Sequence, residues 1–309
     1  MPPRILLTGA TGQVGGAIRE LLTAHPPLDF EVLAPGRADL DLTNEASIRA
    51  AVRDVQPDWI VNPAAYTAVD KAESDRDAAF AINAEAPRIL GEEAARIGAR
   101  VIHFSTDYVF DGSSDRPYTE QDPTGPQGVY GASKLAGEKA LAATGAAHII
   151  LRTSWVYGAT GKNFLLTVLR VARERPEMKI VADQHGAPTA ARDLARLTGR
   201  LLNMGESGAK PHGVYHATGA GETTWHGFAT EALRLASERQ PDTAYARLLP
   251  IPTSEYPTPA RRPANSRLNC ERLAAETGWR FPAWQASLAE VMDELEQAKS
   301  ALDPVRLHA

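Results

Sequence analysis

The chain has 309 residues, 43% apolar and 23% charged, with a formal net charge of -5 and a pI of about 5.9. That length builds one large or two modest domains around a sizeable core, and the acidic balance excludes a basic surface for nucleic acid or anionic membrane. No apolar run approaches the roughly 20 residues that span a bilayer, the amino terminus lacks the pattern of a signal peptide, and the single cysteine, Cys270, has no internal disulfide partner; a cytoplasmic enzyme or binding protein is expected, with no nucleic-acid and no membrane partner.

Ile5-Leu6-Leu7 reads as a short buried strand, and Val14 to Leu22 has helical spacing. Phe30 to Leu33 gives a second strand and Ala46 to Val55 a helix. Trp59-Ile60-Val61 is a third strand, followed by one long helix over Ala78 to Ile97. Val101 to Phe104 is a fourth strand, Val129 to Ala143 a helix, and Ile149 to Leu151 a fifth strand. Strand and helix in alternation predict an α/β fold, a doubly wound parallel sheet with helices on both faces. The second half is less regular: a helix over Phe164 to Arg173, a strand at Lys179 to Val181, a helix over Ala190 to Leu202 and a strand at Gly213 to Ala217. Helices follow over Trp225 to Ser237 and Leu288 to Lys299. Five prolines between Pro250 and Pro263 predict an irregular, extended loop, and the tail from 301 to 309 is expected to fray.

Gly9-Ala10-Thr11-Gly12-Gln13-Val14-Gly15 leaves the first strand and opens the first helix. A tight turn, bare backbone against a pyrophosphate and close helix packing all require glycine at this place, and the diphosphate would rest on free N–H groups at the helix start. After the second strand, where an acid would grip a ribose 2′-OH, the chain has Ala34-Pro35-Gly36-Arg37. Arg37 suits a 2′-phosphate, which points to NADPH, with NADH tolerated. Asp41 and Leu42 lie where the adenine end would be held. Ala64, Ala65 and Tyr66, after the third strand, suit a wall against the cofactor.

Tyr130 and Lys134 are four residues apart, which places both on one helix face. An ammonium beside a phenol, assisted by a charged cofactor, favours the phenolate. Moving a tyrosine from a pKa of ~10 to about 7 takes roughly 4 kcal/mol. Ser105 and Thr106, at the end of the fourth strand, are both candidates for hydrogen bonding a substrate carbonyl. With Tyr130 as proton donor and Lys134 as its electrostatic partner, the set suits carbonyl reduction by hydride. His103 reads as a core or supporting residue. His185, His212 and His216 lack metal-site spacing, and no metal is expected. Asp70, Glu73, Asp75 and Asp77 read as a solvated acidic face.

Longer strings carry a resemblance. Asn62 to Glu73, Ser105 to Gly112, Tyr130 to Glu138, Arg152 to Gly158, Asn163-Phe164, Asp183 to Thr189 and Arg262 to Leu268 together resemble the dTDP-4-dehydrorhamnose reductase family, within the extended short-chain dehydrogenases/reductases. The match runs over roughly residues 4 to 295. It implies a Rossmann-like fold with a smaller carboxy-terminal α+β substrate domain. Residues 1–153 plus about 178–217 would form the dinucleotide-binding domain, and about 154–177 plus 218–300 the substrate domain. It implies reduction of a 4-keto deoxysugar nucleotide by NAD(P)H. Gly12, Gln13, Val14, Asp41, Leu42, Ala64, Ala65 and Tyr66 would then touch the cofactor. Thr106 and Asp107 would meet the sugar and Trp155 would line its pocket, with Asn163, Gln184 and Arg262 as further substrate candidates. Arginine suits a diphosphate because it supplies paired charged donors. Some members dimerise through Mg²⁺ on glutamates; the matching places here are Gly16-Ala17 and Ala191-Arg192. A monomer or weak homodimer without bridging Mg²⁺ is therefore expected. Two other readings stay open: a non-catalytic regulatory subunit on the same fold, and an epimerase, dehydratase or reductase of another nucleotide deoxysugar.

Overall fold

A computed structural model describes residues 2–24 and 30–302. Among the described residues the main sheet has six parallel strands: β1 (Arg4–Leu7), β2 (Glu31–Leu33), β3 (Trp59–Asn62), β4 (Arg100–Thr106), β5 (Ala147–Thr153) and the strand Gly213–His216. Their spatial order is Gly213–His216, β5, β4, β3, β1, β2. The inner strands are buried almost throughout, as a parallel sheet covered on both faces requires. One face packs Ile5, Leu7, Val61, Ile102 and Leu151 against Ile18 and Leu22 of helix α1 (Gln13–Ala24) and Leu194, Leu197 and Leu201 of helix Ala191–Glu206. The other packs Leu6, Ile60, Val101 and Ile150 against Ile48 and Val52 of α2 (Glu45–Val55) and Ile89 and Leu90 of helix Ala86–Ile97. The doubly wound α/β sheet expected from the alternation is the fold observed.

The sheet order reverses at β1: β2 lies on one side and β3 on the other. Ligands of open α/β sheets bind beyond the carboxyl ends of the strands at such a switch point. Here that place is occupied by the glycine turn after β1 and by Asn62-Pro63-Ala64 after β3.

The helix expected over Ala78 to Ile97 is interrupted. Arg76–Phe80 and Ala86–Ile97 are α-helical, and Ala81–Glu85 between them is a π turn. Pro87 explains the break: it has no N–H for the Asn83 carbonyl one turn back, and its ring crowds that oxygen. Asn83 uses the released geometry. Its Oδ1 accepts from Tyr66 N at 2.8 Å, and its Nδ2 donates to Tyr66 O at 3.1 Å and to Ser133 Oγ at 3.0 Å. The π turn thus ties the wall after β3 to the helix Val129–Ala143.

A second hydrophobic cluster lies carboxy-terminal. Leu165, Val168 and Leu169 of helix Phe164–Glu174 meet Phe228 and Ala232 of Trp225–Arg239 and Leu288 and Val291 of Trp284–Leu302. Glu177–Val181 pairs in parallel with Arg247–Ile251, and Ile180 joins this cluster. The strand Arg247–Ile251 enters the proline-rich stretch, where a loop was expected: Pro250 sits opposite Ile180 in a two-stranded pair, whose open edge tolerates the missing donor. Helix Glu271–Thr277 was also not legible in the sequence. The fraying expected for 301–309 falls largely on residues 303–309, outside the described residues.

Candidate active site

The glycine turn is built without room for side chains. Gly9 has φ 56°, and a Cβ at Gly15 would lie 2.2 Å from the Gly9 carbonyl oxygen. Helix α1 can therefore start directly against the turn only with glycine there. A Cβ on Gly9 would lie 2.9 Å from Ala64 Cα, so the walls after β1 and β3 touch. Gly12 N donates to Gly9 O at 2.9 Å. Val14 packs on the core under the turn. Gln13 reaches across to the second unit: its amide donates to Lys162 O at 3.4 Å and accepts from Asn163 Nδ2 at 3.0 Å. Arg37 stands exposed beyond β2, close enough to help lower the Asp41 pKa; the first cause of that shift is the backbone of Thr43, which donates to Asp41. Leu42 packs on the core below. Ala65 lies in the same half-buried wall as Ala64, and Tyr66 is anchored through its hydroxyl to Asp75 Oδ2 at 3.0 Å.

Helix Val129–Ala143 carries Tyr130 and Lys134. Its first turn is fixed by Glu73, whose Oε1 accepts from Val129 N at 2.9 Å. A Cβ on Gly131 would lie 2.1 Å from the Tyr108 carbonyl oxygen, so the helix rests directly on the backbone after β4. Tyr130 meets Tyr108 edge to face, with ring centroids 5.6 Å apart. Alternation along β4 separates the two hydroxyl candidates. Ser105 turns inward and donates to Glu138 Oε1 at 2.5 Å, within a buried ion pair with Arg152. Thr106 turns to the site, donating to Asp107 Oδ1 at 3.0 Å and accepting from Tyr108 N at 3.3 Å.

Tyr130 and Lys134 have different immediate surroundings. Burial pushes the Tyr130 phenol above its ordinary value, Asp107 and Tyr108 add to this, and the Thr106 hydroxyl opposes it. The Lys134 ammonium points to Phe104 O at 2.6 Å and His103 Nε2 at 3.3 Å. Burial brings Lys134 down to about 8, with Glu138 opposing. The hydrogen bonds of Lys134 thus run to β4, on the helix face it shares with Tyr130. Asp107 is pushed up to about 6 by burial, with the Ser266 and Thr106 hydroxyls opposing; its Oδ2 is buried with no partner at ordinary hydrogen-bond distance, Ser266 being its nearby hydroxyl.

On the second unit Trp155 adopts φ 48°, a left-handed backbone unusual for a large residue. Its ring stacks on Trp225 at 3.7 Å. Gln184 supports this pair: its Oε1 accepts from Trp225 Nε1 at 3.1 Å and its Nε2 donates to Thr253 Oγ1 at 3.0 Å. Asn163 is likewise occupied, capping helix Phe164–Glu174 through Leu166 N at 3.0 Å and donating to Gln13 and to Gly158 O. Arg262 comes over the site from the carboxy-terminal loop. It donates to Tyr108 Oη at 3.0 Å and to Asp70 Oδ2 at 2.6 Å. Arg267 is committed to Glu222, Asn265 and the Asp115 carbonyl. Among the described residues no group of three or more His, Cys, Asp or Glu side chains is placed to hold a metal ion.

A family model for the RmlD substrate binding domain matches residues 3–297. The chain belongs to this family. It is 47% identical over 299 residues to a protein of Burkholderia thailandensis named dTDP-4-dehydrorhamnose reductase, covering 94% of this chain and 99% of that one. It is 44% identical to the protein of the same name from Escherichia coli K12, covering 94% and 97%. A crystal structure of dTDP-4-dehydrorhamnose reductase from Bacillus anthracis in complex with NADP superposes with a TM-score of 0.88 at 33% identity, covering 95% of this chain and 100% of that one. The family resemblance expected from the sequence strings is borne out.

Several residues that build this family member's site were not singled out by the sequence. Tyr108 and Trp225 are aromatic residues whose value lies in what they stack on, which spacing does not show. The acidic stretch read as a solvated face is largely engaged: Asp70 holds Arg262, Glu73 caps the Tyr130 helix and Asp75 holds Tyr66. Each partner lies far along the chain or across a turn, so charge pattern alone gives no signal. Among the described residues no helix is long and apolar enough to cross a membrane.

Proposed function

We propose that the chain reduces the 4-keto group of dTDP-4-dehydro-β-L-rhamnose to give dTDP-L-rhamnose with NADPH or NADH, as a dTDP-4-dehydrorhamnose reductase. The observation that carries this reading is the convergence of a half-buried Tyr130 with Thr106 and Asp107 beyond β4, together with the glycine turn at the switch point. Relatives of about 45% identity bearing that name support it. The turn fits a dinucleotide because Gly9 and Gly15 leave bare backbone where any Cβ would collide, and Arg37 offers an exposed guanidinium for a 2′-phosphate. Gly12, Gln13, Val14, Asp41, Leu42, Ala64, Ala65 and Tyr66 would surround the bound cofactor, and Lys134 would lie beside it.

When bound, the nicotinamide supplies the hydride to the carbonyl carbon. Tyr130 delivers its proton to the carbonyl oxygen as charge develops there. Thr106 polarises the same oxygen once its hydroxyl turns from Asp107. Asp107 then accepts a sugar hydroxyl at its unpartnered Oδ2. Trp155, backed by Trp225 and Gln184, forms the apolar wall of the sugar pocket. Arg262 exchanges Asp70 for the diphosphate, with Asn163 fixing the neighbouring turn. Arg192 donates to Glu290 and Glu294, so an internal guanidinium already neutralises these carboxylates; this supports a monomer or weak dimer without Mg²⁺.

The test is oxidation of NADPH and NADH by the wild-type chain with dTDP-4-dehydro-6-deoxyglucose and its 3,5-epimerase, the product identified by NMR. Stoichiometric dTDP-L-rhamnose is expected. Cofactor binding without turnover, or a product other than rhamnose, would sink the proposal.

A further inference from the structure

Four side chains form an unbroken buried row below the carboxyl edge of the sheet. Thr8 Oγ1 lies 2.6 Å from Asn62 Oδ1, and the Asn62 amide nitrogen 3.0 Å from His103 Nδ1. His103 Nε2 lies 3.3 Å from Lys134 Nζ. None of the four is more than 1% exposed. Thr8 follows β1, Asn62 closes β3, and His103 stands opposite Asn62 in β4. Three neighbouring strands therefore line the row up at one level, and the helix supplies its end.

Donor and acceptor arithmetic restricts what this row can be. An ammonium only donates, so a charged Lys134 requires His103 Nε2 as a bare acceptor. The imidazole proton then sits on Nδ1, where the Asn62 amide accepts it through its oxygen once the amide is turned over from the orientation seen here. The amide NH₂ turns to Thr8 Oγ1. The amide orientation seen here, with the Asn62 nitrogen toward Nδ1 and therefore Nε2–H aimed at Lys134, is consistent only with a neutral amine, so a charged Lys134 requires the amide turned over. Which end of the amide faces His103 is thus coupled to the charge at the far end of the row.

We propose that His103 is a positioning residue for Lys134: the Asn62 amide holds it as the neutral Nδ1–H tautomer, and its Nε2, with the Phe104 carbonyl, fixes two N–H groups of the ammonium and so aims the third. The inference rests on the reading that Lys134 serves the reaction. Burial supports it, because it keeps the imidazole neutral and therefore an acceptor; Lys134 and His148 from β5 push the same way, while a hydrogen bond to the Asn62 backbone opposes. On Lys134 itself, burial is opposed by Glu138, one turn further along the helix. A neutral imidazole holds the ammonium without cancelling its charge, as a carboxylate in its place would.

The tautomer is read by ¹⁵N NMR of the histidine-labelled full chain, with the His103 signals identified by their loss in His103→Gln. An Nδ1–H imidazole that stays neutral from about pH 5 to 7 is expected, against an ordinary histidine pKa of ~6.5. An Nε2–H imidazole at about pH 6, or titration near the ordinary value, overturns the proposal. This measurement needs no turnover, so it stands apart from the assigned reaction. In kinetics, His103→Leu should keep cofactor affinity, lose about tenfold or more in kcat and move the alkaline limb of the rate profile to lower pH. His103→Gln, which restores an acceptor, should recover part of both. A Leu variant that melts earlier with kcat and alkaline limb unchanged shows a merely structural histidine and contradicts the assignment. Should His103→Leu not fold, the wild-type NMR result alone decides.

Discussion

Arg262 and Asp70 lie 192 residues apart in sequence and 2.6 Å apart in space, and they close the carboxy-terminal loop over the Tyr108–Tyr130 pair. Asp70 Oδ1 also accepts from Ala260 N at 3.2 Å, so one carboxylate holds both the side chain and the backbone of that loop. In the proposed reaction the same guanidinium serves the substrate diphosphate, which makes Asp70 its competitor.

Two variants separate these roles. Arg262→Ala should raise the KM for the sugar nucleotide about tenfold or more, from loss of a charge-assisted contact, with a smaller effect on kcat. Asp70→Asn, which releases Arg262, should leave that KM unchanged or lower it. Steady-state kinetics at fixed cofactor checks this. If the KM values of the two variants rise together, Arg262 only ties down the loop.

Asp107 sets a pH dependence whose sign follows from its raised pKa. The carboxyl moves from 3.8 to about 6 on folding, chiefly through burial. Its stabilising contribution is full below the unfolded value and is lost as pH rises through about 6, a total of about 3 kcal/mol at ~1.36 kcal/mol per unit. Asp107→Asn should therefore melt a few degrees higher than wild type at about pH 8 and show no such gain at about pH 3. It should also lose kcat/KM, because a charged acceptor for the sugar hydroxyl is gone. Wild-type kcat/KM should fall as pH drops below about 6. Thermal melts and rate profiles read both; a melting difference independent of pH contradicts the assignment.

The close seat of the Tyr130 helix on Tyr108 predicts a severe effect from a small change. Gly131→Ala places a methyl 2.1 Å from a backbone oxygen that cannot move freely. A loss of about 2 kcal/mol or more in stability is expected from overpacking, with kcat falling further than cofactor affinity because Tyr130 shifts. Urea unfolding and cofactor titration on one preparation test it, and a neutral Gly131→Ala refutes the seating argument.

The sequence pattern revealed the parts of this protein whose signal is local. The apolar runs of β1, β3 and β4 alternate with periodic helices, and the glycine turn stands between the first strand and α1 where such turns function. It did not reveal that Ser105 belongs to the Glu138–Arg152 pair and Thr106 to the site, because strand alternation leaves open which face is inward. Nor did it reveal that Lys134 hydrogen-bonds His103 and the Phe104 carbonyl: a shared helix face fixes where Cβ atoms lie, not where a four-carbon side chain ends. The strand through Pro250 was hidden because proline reads as a loop unless the partner strand is known. The interruption at Ala81–Glu85 had a visible cause in Pro87, but its consequence, Asn83 holding Tyr66 and Ser133, depends on tertiary contacts.

Arg192 bears on assembly. Its guanidinium pairs with Glu290 and Glu294 from helix Trp284–Leu302, the ground for the proposed assembly without bridging Mg²⁺. Size-exclusion chromatography with and without EDTA should give the same elution volume. An EDTA-sensitive dimer would contradict this.

The central claim is that reduction runs through the proton of Tyr130, and Tyr130→Phe tests it most directly. The variant retains the ring and the edge contact with Tyr108 and loses only the hydroxyl. Measured side by side, wild type and Tyr130→Phe should bind NADPH with similar affinity, while NADPH oxidation with the 4-keto sugar nucleotide drops about 100-fold or more in the variant. Near-normal oxidation by Tyr130→Phe would show that the proton comes from elsewhere, and the mechanism argued from this site would be wrong.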